Sequence, residues 1–175
     1  MYCKTNYSSP LGAVTIAADE KNIIGLWFDG QKYYGGDNLS VNDNLSIFAD
    51  VKNWLDRYFN GGKPLISELP LAPAGSEFRR AVWDILCAIP YGECTTYGDI
   101  AKKIGAPMSA QAVGGAVGHN PISIIIPCHR VIGADGSLTG YAGGIDKKAA
   151  LLRHEGRGDA VAFEKAPQNF WAYNK

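Results

Sequence analysis

Between residues 64 and 75 the chain carries Pro64, Pro70, Pro73 and Gly75. No helix or central strand runs through such a stretch, because proline lacks the backbone donor that both need. The 175 residues therefore divide into an expected β-rich domain over residues 1–75, a second domain over 76–157 and a tail over 158–175. Hydrophobic residues at 46% and charged residues at 19% suit folded domains, not disorder.

The two sides of the divide read differently. Residues 2–7, 13–18 and 23–28 are short β-rich runs separated by turn residues, the pattern of antiparallel hairpins. Asn44 is placed to cap a helix in which Phe48, Val51, Leu55 and Tyr58 share one face, ending at Gly61-Gly62. A short strand is expected near residues 65–67. Past the divide, Ser76 caps a helix with Phe78, Val82, Ile85 and Leu86 as its apolar stripe, stopping at Ile89-Pro90. Thr95 or Thr96 opens a short helix over 97–104 that Gly105 closes, and Ser109 caps another over 110–118. Two short helices with a tight connection are the pattern of a helix-turn-helix.

Charge says little about partners. The net charge is zero, so no global basic field points to nucleic acid. Residues 1–75 hold six Lys/Arg against eight Asp/Glu, and residues 76–157 hold nine against seven, a balance that turns any DNA-binding role toward the second domain. The helix over 110–118 contains no Lys or Arg. Its face is small and smooth, suited either to close approach to a DNA backbone and minor groove or to packing against a neighbouring element. Lys102, Lys103, Arg130 and Lys147 are the candidate phosphate contacts. Cys3, Cys87, Cys94 and Cys128 form no CxxC pair, no secretory leader is evident, and no apolar run approaches the roughly 20 residues of a membrane span. A cytoplasmic monomer with reduced thiols is expected.

The chemistry concentrates after residue 119. An apolar run over 122–126 exits through Pro127 directly into Cys128-His129-Arg130. Burying three such polar groups as mere packing is costly. A helix over 147–155 then supplies Glu155, which can orient a histidine by accepting its second ring N–H. Adjacent residues of an extended segment point opposite ways, so Cys128 and His129 are expected to communicate through a water.

The run Ile126-Pro127-Cys128-His129-Arg130-Val131 resembles the active-site signature of the O6-alkylguanine-DNA alkyltransferases, or methylated-DNA–protein-cysteine methyltransferases. The resemblance extends through Tyr97-Gly98-Asp99-Ile100-Ala101, Ala112-Val113-Gly114, Asn120-Pro121, Gly140-Tyr141-Ala142-Gly143-Gly144 and the stretch over 151–156. It implies a mixed α/β (α+β) protein with a ribonuclease H-like N-terminal domain and a winged helix-turn-helix-like C-terminal one. It also implies direct, stoichiometric repair: the alkyl group of O6-alkylguanine, and of O4-alkylthymine, passes irreversibly from double-stranded DNA to Cys128. His129 would activate the thiol, Glu155 would orient His129, Asn120 would brace the turn, and Tyr97 would donate a proton to the leaving guanine. Tyr141, Ala142, Gly143 and Val131 would wall the base pocket. Ala110, Gln111, Ala112, Gly114 and Gly115 would meet the minor groove, with Thr96 and Arg130 completing the DNA contacts. Gln111 stands where the family often has arginine, so the gap left by the extruded nucleotide would be filled by a shorter, uncharged side chain.

The product of such a transfer is a thioether, and nothing in the sequence supplies a resolving thiol or a cofactor to remove it. No cofactor and no metal are expected: Cys94, His119, Cys128 and His129 fit no usual zinc spacing. Two other readings compete. A cysteine hydrolase would turn over many times, and a helix-turn-helix damage sensor would work without Cys128.

Overall fold

A computed structural model describes residues 1–105 and 107–157. The tail over 158–175, with Phe163, Phe170, Trp171 and Tyr173, is expected either to pack back on the domain or to mediate a contact, and it lies outside the described residues. Strands β1 (Cys3–Ser9), β2 (Gly12–Ala18) and β3 (Ile23–Phe28) form an antiparallel meander. A two-residue strand, β4 (Ser40–Val41), joins parallel to β1 and gives the order β3-β2-β1-β4. The sheet is thus not purely antiparallel, because a strand of two residues carries no readable alternation.

Helix α1 (Ser46–Phe59) covers one face of the sheet with Phe48, Val51, Trp54, Leu55 and Tyr58. Its cap is Leu45, without a side-chain bond, one residue past the expected Asn44. Asn44 instead donates its backbone N–H to the Asn42 carboxamide. The residues expected to form a strand near 65–67 are a 3-10 turn, Ile66–Glu68, because the Glu68 carboxylate accepts from the Leu65 N–H and folds the segment back on itself.

In the second half the hydroxyl caps form where the sequence places them. Ser76, Thr96 and Ser109 each accept a backbone N–H three residues on, starting α2 (Glu77–Cys87), α3 (Tyr97–Ile104) and α4 (Ala110–Gly118). Gly105 ends α3 at φ +100°, a conformation only glycine takes without strain. The last helix among the described residues, α5 (Ile145–His154), precedes Glu155. A small parallel sheet pairs β5 (Thr95–Thr96) with β6 (Val131–Ile132), and this pairing holds the segment after Cys128 against the entrance of α3.

The two halves share one apolar core. Val14, Ile16, Leu26 and Phe28 of the sheet continue into Val82, Trp83, Leu86, Ile100, Val113, Ile122 and Leu151 of the second half. The outer edge of β3 is closed by both. Ile23 exchanges backbone bonds with Pro70 and Ala72, and Leu26 with Pro121 and Ser123. The run over 122–126 is consequently not a strand but a tight buried turn seated on β3. Ile124 adopts φ +70° there, a left-handed conformation that costs a β-branched residue energy and survives only where its surroundings over-determine it.

Candidate active site

The turn is held from within by Asn120. Its carboxamide donates to the carbonyls of Ile122 (3.3 Å) and Ile126 (2.8 Å) and accepts from the Ile122 N–H (3.0 Å). From outside, Ser123 donates to Gln31 of the first half at 3.3 Å. The exit through Pro127 then tightens into one 3-10 turn, Cys128–Arg130. The expected extended segment is therefore absent, and with it the premise that Cys128 and His129 point to opposite sides. The cause is the preceding turn, which delivers the chain curled, with the Arg130 N–H bonded to the Pro127 carbonyl.

Glu155 is the hub behind the thiol. Its carboxylate accepts from His129 Nε2 at 2.8 Å, from Arg130 Nε and Nη2 at 2.8 and 3.0 Å, and from the Tyr58 hydroxyl at 2.7 Å. Arg130 also donates to the Ile89 carbonyl at 2.6 Å. All of these groups are buried. Burial alone would raise the Glu155 carboxyl, but His129 and Arg130 outweigh it and hold it well below the usual carboxylate range. An ionised Glu155 makes Nε2 the protonated ring nitrogen of a neutral His129, and Nδ1 the basic one. Nδ1 is buried and has no partner among the described residues.

Burial sets the resting protonation. Desolvation raises the Cys128 thiol and lowers His129, in the latter case against the pull of Glu155. The resting pair is a neutral thiol and a neutral imidazole, and the ion pair arises only as the thiol reacts. This has a measurable consequence. Both His129 and Glu155 titrate lower in the native state, so the unfolded chain binds more protons on the acid side and stability falls with pH. The loss should begin below about 6.5, the ordinary histidine value, and continue below the ordinary carboxylate value. Thermal melting between pH 7.5 and 5 should show a falling midpoint; a flat profile would contradict this protonation scheme.

Beside this hub runs a groove of about 650 Å³, within the size range of small-molecule clefts. Tyr97, Ala110, Gln111, Gly114 and Gly118 line one side, the loop of Thr139–Ala142 with Gly144 and Ile145 the other, and Lys32 and Tyr33 its end. The phenols of Tyr97 and Tyr141 are raised by burial and further by the nearby Cys128, which places the sulfur next to the groove's inner wall. On α4, Val113, Ala116 and Val117 are buried while Ala110, Gln111, Ala112 and Gly115 are exposed, so the smooth face is free and packing uses the opposite one. An added Cβ at Gly115 would meet nothing within 4 Å, whereas one at Gly143 would strike Phe28 and Tyr141.

The structure brings together Cys128, His129, Glu155 and Asn120, with Tyr97, Tyr141 and Ala142 on the groove. It does not bring every candidate there. Val131 is fully buried in β6, and Gly143 turns inward to Phe28. Arg130, expected at the DNA, is 6% exposed and committed to Glu155 and Ile89, because leaving a carboxylate unpaired at that depth would be far costlier than forgoing one phosphate. Thr96 caps α3 and donates to Asp99 at 2.8 Å. Lys102 and Lys103 are exposed on α3, whereas Lys147 lies 5.4 Å from the centroid of the Phe28 ring. The Tyr97 hydroxyl donates to the Thr139 carbonyl at 2.7 Å. Sequence reasoning missed Tyr58 and Lys148. No local signal marks Tyr58, which reads as core. Lys148 does carry one, since it precedes Leu151, Leu152 and Glu155 by three, four and seven residues, on one helical face.

Comparison with known proteins adds an independent line. The family model for the ribonuclease-like domain of 6-O-methylguanine DNA methyltransferase matches residues 1–73, and that for its DNA-binding domain matches residues 77–157. The methylated-DNA–protein-cysteine methyltransferase of Haemophilus influenzae is 44% identical over 86% of this chain and 84% of its own length. That of Methanosarcina acetivorans is 46% identical over 86% and 96%. Among solved structures, Mycobacterium tuberculosis OGT in complex with DNA superposes with a TM-score of 0.78 at 41% identity, covering 91% of this chain and 94% of that one.

Proposed function

The chain belongs to the 6-O-methylguanine DNA methyltransferase family, and on that premise we propose that it repairs alkylated DNA by moving the alkyl group of O6-alkylguanine onto Cys128, once per molecule. The observation that carries this assignment is the buried His129–Glu155 pair, 2.8 Å apart, directly beside a cysteine held by the Asn120-braced turn. O4-alkylthymine presents the same alkyl ether and is the second substrate. The acting unit is residues 76–157, with residues 1–75 supplying Tyr58 and Gln31 as supports.

The target atom lies within the duplex, so the nucleotide must be extruded, at a cost of a few kcal/mol. The smooth face of α4 enters the minor groove, Gln111 hydrogen-bonds the orphaned partner base, and Lys102 and Lys103 contact phosphates. The extruded base enters the groove between Tyr97 and the loop of Tyr141 and Ala142. Attack is an in-line displacement. The Cys128 sulfur bonds to the alkyl carbon as the carbon–O6 bond breaks, and the thiol proton passes through a bridging water to His129 Nδ1, which has no direct partner among the described residues. Glu155 steadies the imidazolium. The electron pair moves onto the guanine, whose charge Tyr97 relieves by giving up the proton it otherwise donates to the Thr139 carbonyl. Concerted transfer suits a resting thiol that is neutral, since no thiolate has to persist before the substrate arrives. The thioether product is not hydrolysed, so the protein is spent.

No helix among the described residues is long and apolar enough to cross a membrane, and free, reduced cysteines fit a cytoplasmic setting. The test is intact-mass spectrometry after mixing with duplex DNA containing O6-methylguanine. One adduct of about 14 Da per molecule, on the peptide holding Cys128, is the expected result for a covalent acceptor. Multiple turnover without an adduct would instead indicate a hydrolase.

A further inference from the structure

The end of the groove is built by the first half of the chain. After β3, residues 29–36 form a loop anchored on both sides of Tyr33. Gln31 is buried, and its carboxamide accepts from the Phe28 N–H at 2.9 Å and from Ser123 of the acceptor turn at 3.3 Å. Lys32 donates its backbone N–H to the Ala142 carbonyl at 3.1 Å, on the loop that walls the groove. Tyr34 donates to Thr15 at 3.1 Å and meets Trp27 edge-on, with ring centroids 5.7 Å apart. Between these anchors Tyr33 adopts φ +59°, a left-handed conformation that a bulky residue holds only where its neighbours impose it, and that gathers at ligand clamps. Its ring lies 3.9 Å from that of His119 and 25° from parallel. His119 is itself fixed, because Nδ1 donates to the Gly115 carbonyl at 2.7 Å. One face of the Tyr33 ring is thus covered. The residue is nevertheless 58% exposed, so the other face is open at the end of the groove.

We propose that Tyr33, backed by His119, is the subsite for the part of an O6 substituent beyond the reacting carbon, and that it directs the protein toward aromatic and extended apolar groups such as benzyl. This rests on the alkyl-transfer reading and names its substrate class. In an in-line displacement the sulfur, the carbon and O6 are collinear, so the remaining bonds of that carbon project sideways from the axis. A methyl group puts only hydrogens there; a longer group must leave across the line of attack. The buried residues 122–126 close the way inward, and the space that continues is the groove itself. Along α4 it extends from Gln111, which meets the orphaned base, to Gly118, seven residues on and roughly 10 Å away at the helical rise. Tyr33 stands at the Gly118 end, since its stacking partner His119 is the next residue. A flat, rigid face with one side already stacked is suited to take a further ring on the other. The bonds made and broken are those of methyl transfer: sulfur bonds to the substituted carbon, the carbon–O6 bond breaks, the thiol proton goes to His129 and the departing guanine receives the Tyr97 proton. Tyr33 touches only the group being moved; it is a specificity-determining residue.

The test measures single-turnover transfer from two duplexes of one sequence, holding O6-benzylguanine or O6-methylguanine, and takes the ratio of their second-order rate constants. A general loss of folding or of DNA affinity leaves that ratio unmoved. Tyr33→Ala should lower the benzyl-to-methyl ratio by about tenfold, within what one aromatic stack contributes. Tyr33→Phe, which keeps the ring, should retain the wild-type ratio. An unchanged ratio in Tyr33→Ala overturns the proposal even where both rates fall together. A raised ratio does so as well, since it would make the ring a barrier and not a platform. A ratio that falls equally in Tyr33→Phe overturns it too, because the hydroxyl and not the face would then be responsible. A wild type that transfers neither group removes the repair reading. The affinities of the two duplexes for wild type and Tyr33→Ala, compared by fluorescence polarisation, then decide the subsite: a benzyl preference lost with the ring upholds it, and equal affinities overturn it.

Discussion

Arg130→Met is expected to remove about 3–5 kcal/mol of folding stability, lowering the melting temperature by roughly 6–20 °C for a chain of this size, while leaving the salt dependence of DNA binding unchanged. The side chain makes two bonds to Glu155 and one to the Ile89 carbonyl, all in the interior. Methionine fills much of the volume but leaves Glu155 with His129 and Tyr58 as its main partners and the Ile89 carbonyl unsatisfied. Uncompensated buried charge is what makes breaking one side of such a pair so costly. The salt dependence separates this role from the one expected of a basic residue next to the acceptor cysteine. A phosphate-contacting arginine releases counterions on binding, and its loss flattens the slope of log affinity against log salt by about 0.9. Binding titrations at several salt concentrations, run well below the variant's melting point, decide the matter. A stable variant with a flattened slope would place Arg130 at the DNA after all.

Cys128→Ala should abolish alkyl transfer altogether while preserving the fold and holding affinity for O6-methylguanine DNA within a few-fold of wild type. The substitution removes one sulfur from a site whose supports are all elsewhere: the turn is braced by Asn120, and the hub by Arg130 and Tyr58. Among the other cysteines, burial pushes the Cys87 thiol up to about 11, and Cys3 is buried in the first half. Transfer is measured by loss of labelled methyl from DNA, and binding by fluorescence polarisation. A variant that still demethylates would refute the acceptor role of Cys128. Transfer by the wild type and its loss in Cys128→Ala distinguish an acceptor from a pure damage sensor, whose biological output would survive the change.

Much of the frame is legible in the chain alone. Three hydroxyl caps, the closing glycine of α3, the apolar face of α1 and the meander itself follow from rules that operate within four or five residues of a position. The pairing of His129 with Glu155 is reachable too, through the ordered motifs of the second half. Where expectation and structure part, the local rule is silent or evenly balanced. Strands of two residues have no alternation to detect. At Asn44 and Leu45 two neighbouring residues compete for one cap, and a carboxylate at Glu68 turns an expected strand into a 3-10 turn.

The larger departures have a different cause. Arg130 reads as a phosphate contact because charge in a sequence is taken as surface by default. Burial of a charge depends on whether a partner arrives from elsewhere, and Arg130 meets Glu155 across 25 residues of chain while Tyr58 reaches it across 97. Covalent order and short-range backbone preferences are enough to settle most of the secondary structure and which sulfur sits beside which imidazole. They do not settle that the thiol rests neutral or that Arg130 faces inward; the packed fold does. Those outcomes depend on desolvation and on partners brought from distant parts of the chain, and no window of neighbouring residues contains either.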